Sequence, residues 1–335
     1  MAGTGKAHLR PAGTALLRIE DLVVEFPVGR TGLKVNAVSG ISLDVLEGET
    51  LGLVGESGCG KSTTGRAIMQ LPRPTSGSVV LEGQDLTQLP GKEIRELRPR
   101  MQMIFQDPIS SLNPRRKILD IVGEPLQIWK RGNAEERSRK VREVLDTVGI
   151  DADQAGTRKP HEFSGGQCQR ICIARSVVMD PKMIICDEPV SALDVSVQAQ
   201  ILNLLEEMKK AYGLTLIFIA HDLAVVKNVS DRVVVMYLGK ICEVGPPDNL
   251  YAKPAHPYTR ALIESIPEPD PAVRPTESAA LEGDLPSPIA PPSGCRFRTR
   301  CPLAAERCAA EEPQLRQVSQ GHFVACHFPL VTVPV

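Results

Sequence analysis

The sequence predicts an α/β fold in which short buried strands alternate with helices around a phosphate-binding loop, and three observations carry that reading. Residues 51–54 (LGLV) are apolar and feed directly into GESGCGKS at residues 55–62, after which KSTTGRAIMQL has helical spacing. Strand, glycine loop and helix start in this order are what the GxxxxGK[ST] phosphate motif requires. Residues 183–186, 195–210, 214–220 and 233–236 then read as buried strand, amphipathic helix, strand and strand, the alternation of a parallel sheet. Finally, 335 residues suffice for one large domain with a small one attached. The fold class is therefore α/β of the P-loop NTPase type, with an inserted helical subdomain and a small cysteine-bearing C-terminal extension.

Taken in chain order, residues 1–14 are small and polar and are expected to form a disordered lead. Residues 16–26 (LLRIEDLVVEF) and 35–54 carry short β-branched and apolar runs broken by Gly and Asp, which read as strands. They open an ATPase domain expected over residues 15–265. Between about residues 112 and 160, charge pairs and apolar residues recur at helical intervals, and the inserted helical subdomain is expected over about 112–180. Eight of the 28 prolines fall between residues 267 and 292, so residues 266–293 are expected to be an extended, semi-rigid linker. Residues 294–335 form the cysteine-bearing tail, and no internal repeat is visible.

Composition narrows the partners. With 39 basic and 40 acidic residues the chain lacks the basic footprint of a nucleic-acid binder, so none is expected. No apolar stretch reaches the roughly 18 to 20 residues of a membrane span, and the N-terminus has no secretory apolar core. A cytosolic chain linked to a membrane through partners is expected. Nine cysteines in that compartment argue for reduced thiols or metal ligands over disulfides.

The phosphate loop has a definite chemistry. Backbone N–H groups of Gly58, Cys59, Gly60 and Lys61, backed by a helix N-terminus, form a nest for a triphosphate, and glycine is needed where a side chain would block approach. Gly55, Ser57, Gly58, Cys59, Gly60, Lys61, Ser62 and Thr63 are the candidate ATP-binding set. Lys61 supplies a point charge to the β- and γ-phosphates, while Ser62 and Asp187 supply oxygens to Mg2+. Glu188, one step past Asp187, is the candidate general base for the attacking water. The Cys59 thiol, beside Lys61 at a helix N-terminus, is expected to have a lowered pKa and to be reactive. Ser164, Gly165, Gly166 and Gln167 (SGGQ) begin another helix, with Ser164 as its N-cap.

In this order and context, GESGCGKS, SGGQ and MIICDE resemble the ATPase subunit of an ABC transporter, from about residue 16 to the C-terminus. The resemblance implies that Gln106 (in MIFQDP) touches metal and water, that His221 (in FIAHD) contacts the γ-phosphate, and that Phe26 stacks on adenine. It also implies a head-to-tail dimer with a second ATPase subunit, identical or homologous, in which each SGGQ caps the ATP of its partner and Asp194 lies in a dimer-contact loop. The phrases FQDPISSLNPR (residues 105–115), PHEFSGGQ (160–167) and AHPYTRALIESIP (255–267) are similar to the dipeptide, oligopeptide and nickel importer branch. Two departures are Cys168, where the family usually has Arg, and Phe163 in place of the wider superfamily's Leu.

The resemblance implies an ATP-hydrolysing, ABC-type translocase subunit that energises import of di- or oligopeptides. It would sit peripherally on the cytoplasmic face of the cell membrane, docked on two permease subunits and served indirectly by an extracytoplasmic solute-binding protein. Import of nickel or another small solute is the alternative within the branch. A soluble ABC-type ATPase not coupled to transport is the alternative outside it, but its coiled coils, inserted zinc modules or duplicated ATPase halves are not visible.

Cys295, Cys301, Cys308 and Cys326 could hold a cubane iron–sulfur cluster or one tetrahedral zinc, or could be free thiols. Zinc sites favour close C-x2-4-C pairs, which are absent, and the peptide-importer family is associated with a four-iron, four-sulfur (4Fe-4S) cluster at similar cysteines. Arginines 296, 298, 300 and 307 are expected to offset that cluster's negative charge. The tail, too short to bury a core of its own, is expected to depend on the metal for its order.

Overall fold

In the computed structural model, residues 5–11, 13–266 and 284–331 are described. The chain divides into two compact units, Met1–Pro90 with Ala220–Val335, and Gly91–Ile219.

The first unit begins with β1 (Leu17–Pro27) and β2 (Lys34–Val45), continues through β3 (Thr50–Val54) and helix α1 (Lys61–Ile68), and returns to β4 (Ser76–Leu81) and β5 (Gln84–Asp85). Strands β1, β2, β4 and β5 make an antiparallel sheet in the order β2-β1-β4-β5. Along β1, Leu17, Ile19, Leu22 and Val24 are buried, and register shifts after Ile19 keep the apolar face inward. Such alternation is the period-2 signature of a half-buried strand. Strand β3 is buried along its whole length, as a strand covered on both faces must be.

The second unit contains α2 (Gly91–Leu97), β6 (Met101–Ile104), α3 (Ile118–Ile128), α4 (Ala134–Thr147), α5 (Ala152–Ala155), α6 (Gly165–Val177), β7 (Met183–Asp187), α7 (Val195–Tyr212) and β8 (Thr215–Ala220). Strands β6, β7 and β8 run parallel, in that order. Helix α4 starts at a reciprocal capping box between Asn133 and Glu136, worth about 1 kcal/mol. Helix α7 buries Ile201, Leu204, Leu205 and Met208 on one face and ends at Gly213, whose φ of 62° suits a left-handed C-terminus. Four helices, α3 to α6, lie between β6 and β7 in this unit.

The chain then re-enters the first unit through α8 (Leu223–Val229), β9 (Arg232–Tyr237), β10 (Lys240–Gly245), α9 (Pro247–Ala252), α10 (Pro257–Glu264), α11 (Glu306–Ala310), β11 (Arg316–Ser319) and β12 (His322–Val324). Strand β3 pairs in parallel with β9, β10 runs antiparallel to both β9 and β12, and the order in this unit is β11-β12-β10-β9-β3.

Two expectations change here. Residues 5–11 are not a free lead: Lys6 donates to Glu20 and Asp21 at 2.8 and 2.7 Å, and Arg10 grips Glu49 at 2.9 and 3.0 Å. His8, 4% exposed, lies 2.6 Å from the Ser42 carbonyl. Small polar composition concealed three side chains that find partners on β1, on β2 and in the turn before β3. The tail is likewise no isolated module, since β12 extends the sheet beyond β10 and Phe297 is 1% exposed among Tyr237, Tyr258 and His256. The tail therefore packs on apolar and aromatic surface of the same unit. The greater part of the expected proline linker, residues 267–283, lies outside the described residues. No helix among the described residues is long and apolar enough to cross a membrane.

Candidate nucleotide site

In the first unit, β3 delivers the chain into a loop whose shape depends on two glycines. Gly55 has φ of 150°, and a Cβ there would lie 2.1 Å from the Met236 carbonyl oxygen; at Gly60, with φ of 103°, it would lie 2.2 Å from that of Ala37. Both neighbours are backbone and cannot yield, so only glycine fits. Lys61, 4% exposed, folds its ammonium back to donate to the Gly55 and Glu56 carbonyls at 2.6 and 3.0 Å. Ser57 and Gly58 are exposed, and Ser62 and Thr63 are half-buried in the first turn of α1. His221 is exposed just beyond the end of β8, and Phe26, 37% exposed, stands at the far end of β1.

Cys59 does not match its expectation. Its side chain is fully buried, and burial pushes the thiol pKa up, with Lys61 and backbone N–H groups opposing only in part. The lysine and helix terminus are present as predicted, but desolvation outweighs them.

In the second unit, β7 ends on Asp187, 1% exposed, and the next residue is Glu188. Glu188 has φ of 49°, a left-handed conformation that costs a non-glycine residue about 1–3 kcal/mol. Its N–H donates to Ile219 at 3.0 Å, and its carbonyl accepts from the Ser191 hydroxyl at 3.1 Å. The Gln106 amide donates to the Glu188 carboxylate at 3.1 Å, which brings together two residues far apart in sequence.

SGGQ begins α6. Ser164 Oγ accepts from the Gln167 N–H at 3.3 Å, and Gln167 Oε1 accepts from the Ser164 N–H at 3.0 Å, a reciprocal capping box. Ser164 and Gln167 remain exposed. A Cβ on Gly166 would come within 2.6 Å of Val197 on α7, whereas Gly165 has ordinary room at 3.5 Å from Leu193. Asp194 is exposed and precedes α7 without using its side chain as a cap; its carbonyl accepts from Val197 and Gln198. Cys168 is buried under this start, its Sγ 3.5 Å from the Pro160 carbonyl, so the departure from Arg is absorbed by packing.

Sequence reasoning noticed the phrase HPYT without a physical account of it. Here His256 caps α10 by accepting from the Tyr258 N–H at 3.0 Å, Pro257 opens the helix, and the Tyr258 hydroxyl accepts from the Glu56 N–H of the phosphate loop at 2.8 Å. Burial holds His256 neutral, its pKa lowered to about 4. The buried Glu243 carboxylate accepts from the N–H groups of Ala255 and His256, both at 2.8 Å, and lies 2.6 Å from His322 Nε2. The only signal for these roles was the clustering of Pro with polar and aromatic residues.

The metal expectation for the tail is not supported. All nine cysteines are free, and no group of three or more His, Cys, Asp or Glu among the described residues could hold a metal ion. Cys326 does feel Cys295, Cys301 and Cys308, but burial comes first in pushing its thiol up to about 12; burial also raises Cys295 and Cys301. Burial thus keeps these groups protonated in the metal-free chain, and a metal would have to displace those protons on binding. The arginines serve other partners. Arg296 donates to the Leu238 carbonyl, Arg298 to Ser293, Arg300 to Glu56 and Arg307 to Glu311.

The Ser62 hydroxyl in the first unit and the Asp187 carboxylate in the second are each hard oxygen donors of the kind Mg2+ takes.

The family described as "ABC transporter" matches residues 38–191, and the one described as "Oligopeptide/dipeptide transporter, C-terminal region" matches residues 242–308. The oligopeptide transport ATP-binding protein OppF of Escherichia coli (strain K12) is 52% identical over 322 residues, covering 93% of this chain and 95% of that protein. The putative oligopeptide transport ATP-binding protein YkfD of Bacillus subtilis (strain 168) is 52% identical over 314 residues, with the same two coverages. Among solved structures, an ATP-binding cassette in a dimeric post-hydrolysis state bound to ADP and Pi matches with a TM-score of 0.63 and 28% identity, over 69% of this chain and 98% of that one. CbiO1 from Clostridium perfringens, part of an ABC transporter complex, matches with a TM-score of 0.63 and 29% identity, over 71% and 91%. A strained carboxylate following a buried aspartate, a glycine-dependent phosphate loop and a capped SGGQ helix thus accompany similarity along nearly the whole length, and the chain belongs to the ATP-binding subunits of ABC transporters, in the oligopeptide and dipeptide branch.

Proposed function

We propose that this chain binds and hydrolyses MgATP to drive import of di- or oligopeptides across the cytoplasmic membrane. The observation that carries the reading is similarity of about half of all residues to oligopeptide transport ATP-binding proteins over 93% of the chain, joined to a complete set of phosphate-site residues. The loop N–H groups from Gly58 to Lys61 and the Lys61 ammonium bind the phosphates. Ser62, Asp187 and Gln106 hold Mg2+, which when bound neutralises phosphate charge. Glu188 accepts a proton from the attacking water, Gln106 orients the Glu188 carboxylate, and His221 donates to the γ-phosphate. Phe26 stacks on adenine.

The exposed SGGQ serves a second ATPase subunit, identical or homologous, in a head-to-tail dimer in which Asp194 lies at the contact. The dimer works from the cytoplasmic face with two permease subunits, and an extracytoplasmic solute-binding protein delivers the peptide. The test is reconstitution of the chain with its permeases and binding protein in proteoliposomes. Peptide should stimulate ATP hydrolysis and enter the vesicles, and Lys61→Ala should abolish both. Stimulation by nickel with no response to peptides would move the chain to the other solute of its branch, and ATPase that ignores the permeases would refute transport coupling.

A further inference from the structure

The phosphate loop carries a carboxylate of its own. Glu56 lies between Gly55 and the N–H groups that bind phosphate, where a bare negative charge would oppose a tetraanionic triphosphate. It is not bare: Arg300 reaches it with two bonds, Nη1 to Oε2 at 2.7 Å and Nη2 to Oε1 at 3.1 Å. The arginine side chain is 6% exposed and the glutamate 27%, so solvent screens the pair only in part. Parallel bonds of this kind fix orientation as well as charge. Arg300 is itself braced, with its guanidinium 5.9 Å from the Tyr237 ring centroid and Tyr237 packed against Tyr258 and Phe297.

The same C-terminal region holds the loop at two further points. The Tyr258 hydroxyl accepts from the Glu56 N–H, and Arg296 binds the carbonyl of Leu238 in the turn between β9 and β10. In that turn Gly239 donates its N–H to the Cys59 carbonyl at 2.8 Å. Both ends of the segment from Glu56 to Cys59 are therefore tied to residues of the C-terminal half, and one of those ties cancels a charge.

We propose that Arg300 is a positioning residue for nucleotide: by neutralising and orienting Glu56, the C-terminal extension sets the affinity of the phosphate loop for the triphosphate. This rests on the loop being the ATP site, and the experiment separates the two claims. MgATP and MgADP dissociation constants are measured on the full-length chain for wild type, Arg300→Ala, Arg300→Lys, Glu56→Gln and the pair Glu56→Gln/Arg300→Ala, alongside thermal unfolding without nucleotide. Losing a bond pair to a charged group corresponds to about a tenfold change. Arg300→Ala should weaken MgATP about tenfold and MgADP less, because fewer phosphates face the freed carboxylate. Adding Glu56→Gln should restore MgATP affinity to within about threefold of wild type, and Arg300→Lys should fall between wild type and Arg300→Ala. A merely structural Arg300 would show no rescue by Glu56→Gln, and that result overturns the proposal, as does unchanged affinity in Arg300→Ala. Should Arg300→Ala not fold, Glu56→Gln/Arg300→Gln replaces it, with near wild-type MgATP binding expected and a loss of about tenfold or more overturning the charge account. Wild-type protein that binds no MgATP would instead refute the nucleotide site itself.

Discussion

Replacing Glu188 by glutamine, alanine and glycine in turn separates its carboxylate from its backbone. Glutamine keeps the shape and removes the proposed base, so steady-state hydrolysis should fall by at least ~10² while MgATP stays bound. Alanine removes the side chain but leaves a Cβ at φ of 49°. Glycine removes the side chain and the strain together. Release of left-handed strain is worth about 1–2 kcal/mol, and the extra unfolded-state freedom of glycine takes back about 0.4–1 kcal/mol. The Gln106 bond, 3.1 Å and exposed, is lost equally in both variants and cancels between them. Glu188→Gly should therefore be more stable than Glu188→Ala by roughly 0.5–1 kcal/mol, the reverse of the order at an ordinary residue. For a chain of this size that is about 1–3 °C in the thermal midpoint. The assays are urea unfolding of the full chain, thermal scans and ATPase rates. Alanine more stable than glycine would show that position 188 carries no strain, and Glu188→Gln hydrolysing within about threefold of wild type would refute its role as base.

Gly60→Ala should destabilise the chain by at least ~2 kcal/mol and abolish MgATP binding, because its Cβ would meet the Ala37 carbonyl at 2.2 Å in a left-handed backbone; unfolding and nucleotide titration check both. Native Cys59 should resist maleimide at pH 7.5 and react only after unfolding, measured by mass spectrometry of the loop peptide, since burial raises its pKa and closes access; rapid native labelling would contradict this. Acid should reveal His256. Its folded pKa of about 4 lies below its ordinary 6.5, so between those values the unfolded chain binds the extra proton and stability falls as pH drops. The full effect is on the order of 3 kcal/mol, and His256→Asn, which keeps a side-chain acceptor at the cap, should lessen the pH 6.5-to-4.5 loss seen in wild type.

How far the sequence could be read depended on how local each determinant is. Residues 51–63 were legible because a strand, glycines at positions of steric exclusion and a helix start lie within one short segment. Asp187 and Glu188 were legible because the buried run before them ends at a fixed point, although the strain at Glu188 has no signature in residue type. Residues 5–11 were not legible, since Lys6, His8 and Arg10 acquire meaning only from Glu20 and Ser42 on strands β1 and β2 and from Glu49 in the turn before β3. The tail shows the same limit. Its four cysteines read as a cluster, a zinc site or free thiols, with the cluster implied by the family resemblance, and its arginines read against that cluster's charge. In the folded chain Arg298 and Arg307 stay within the tail, on Ser293 and Glu311, whereas Arg296 reaches Leu238 and Arg300 crosses 244 positions to Glu56. Cys308 is buried and Cys295, Cys301 and Cys326 are half-buried, with burial raising the pKa of the last three. Nothing local marks the partner of Arg300, because an arginine that would offset a cluster and one that pairs with a glutamate in a distant phosphate loop look alike in sequence.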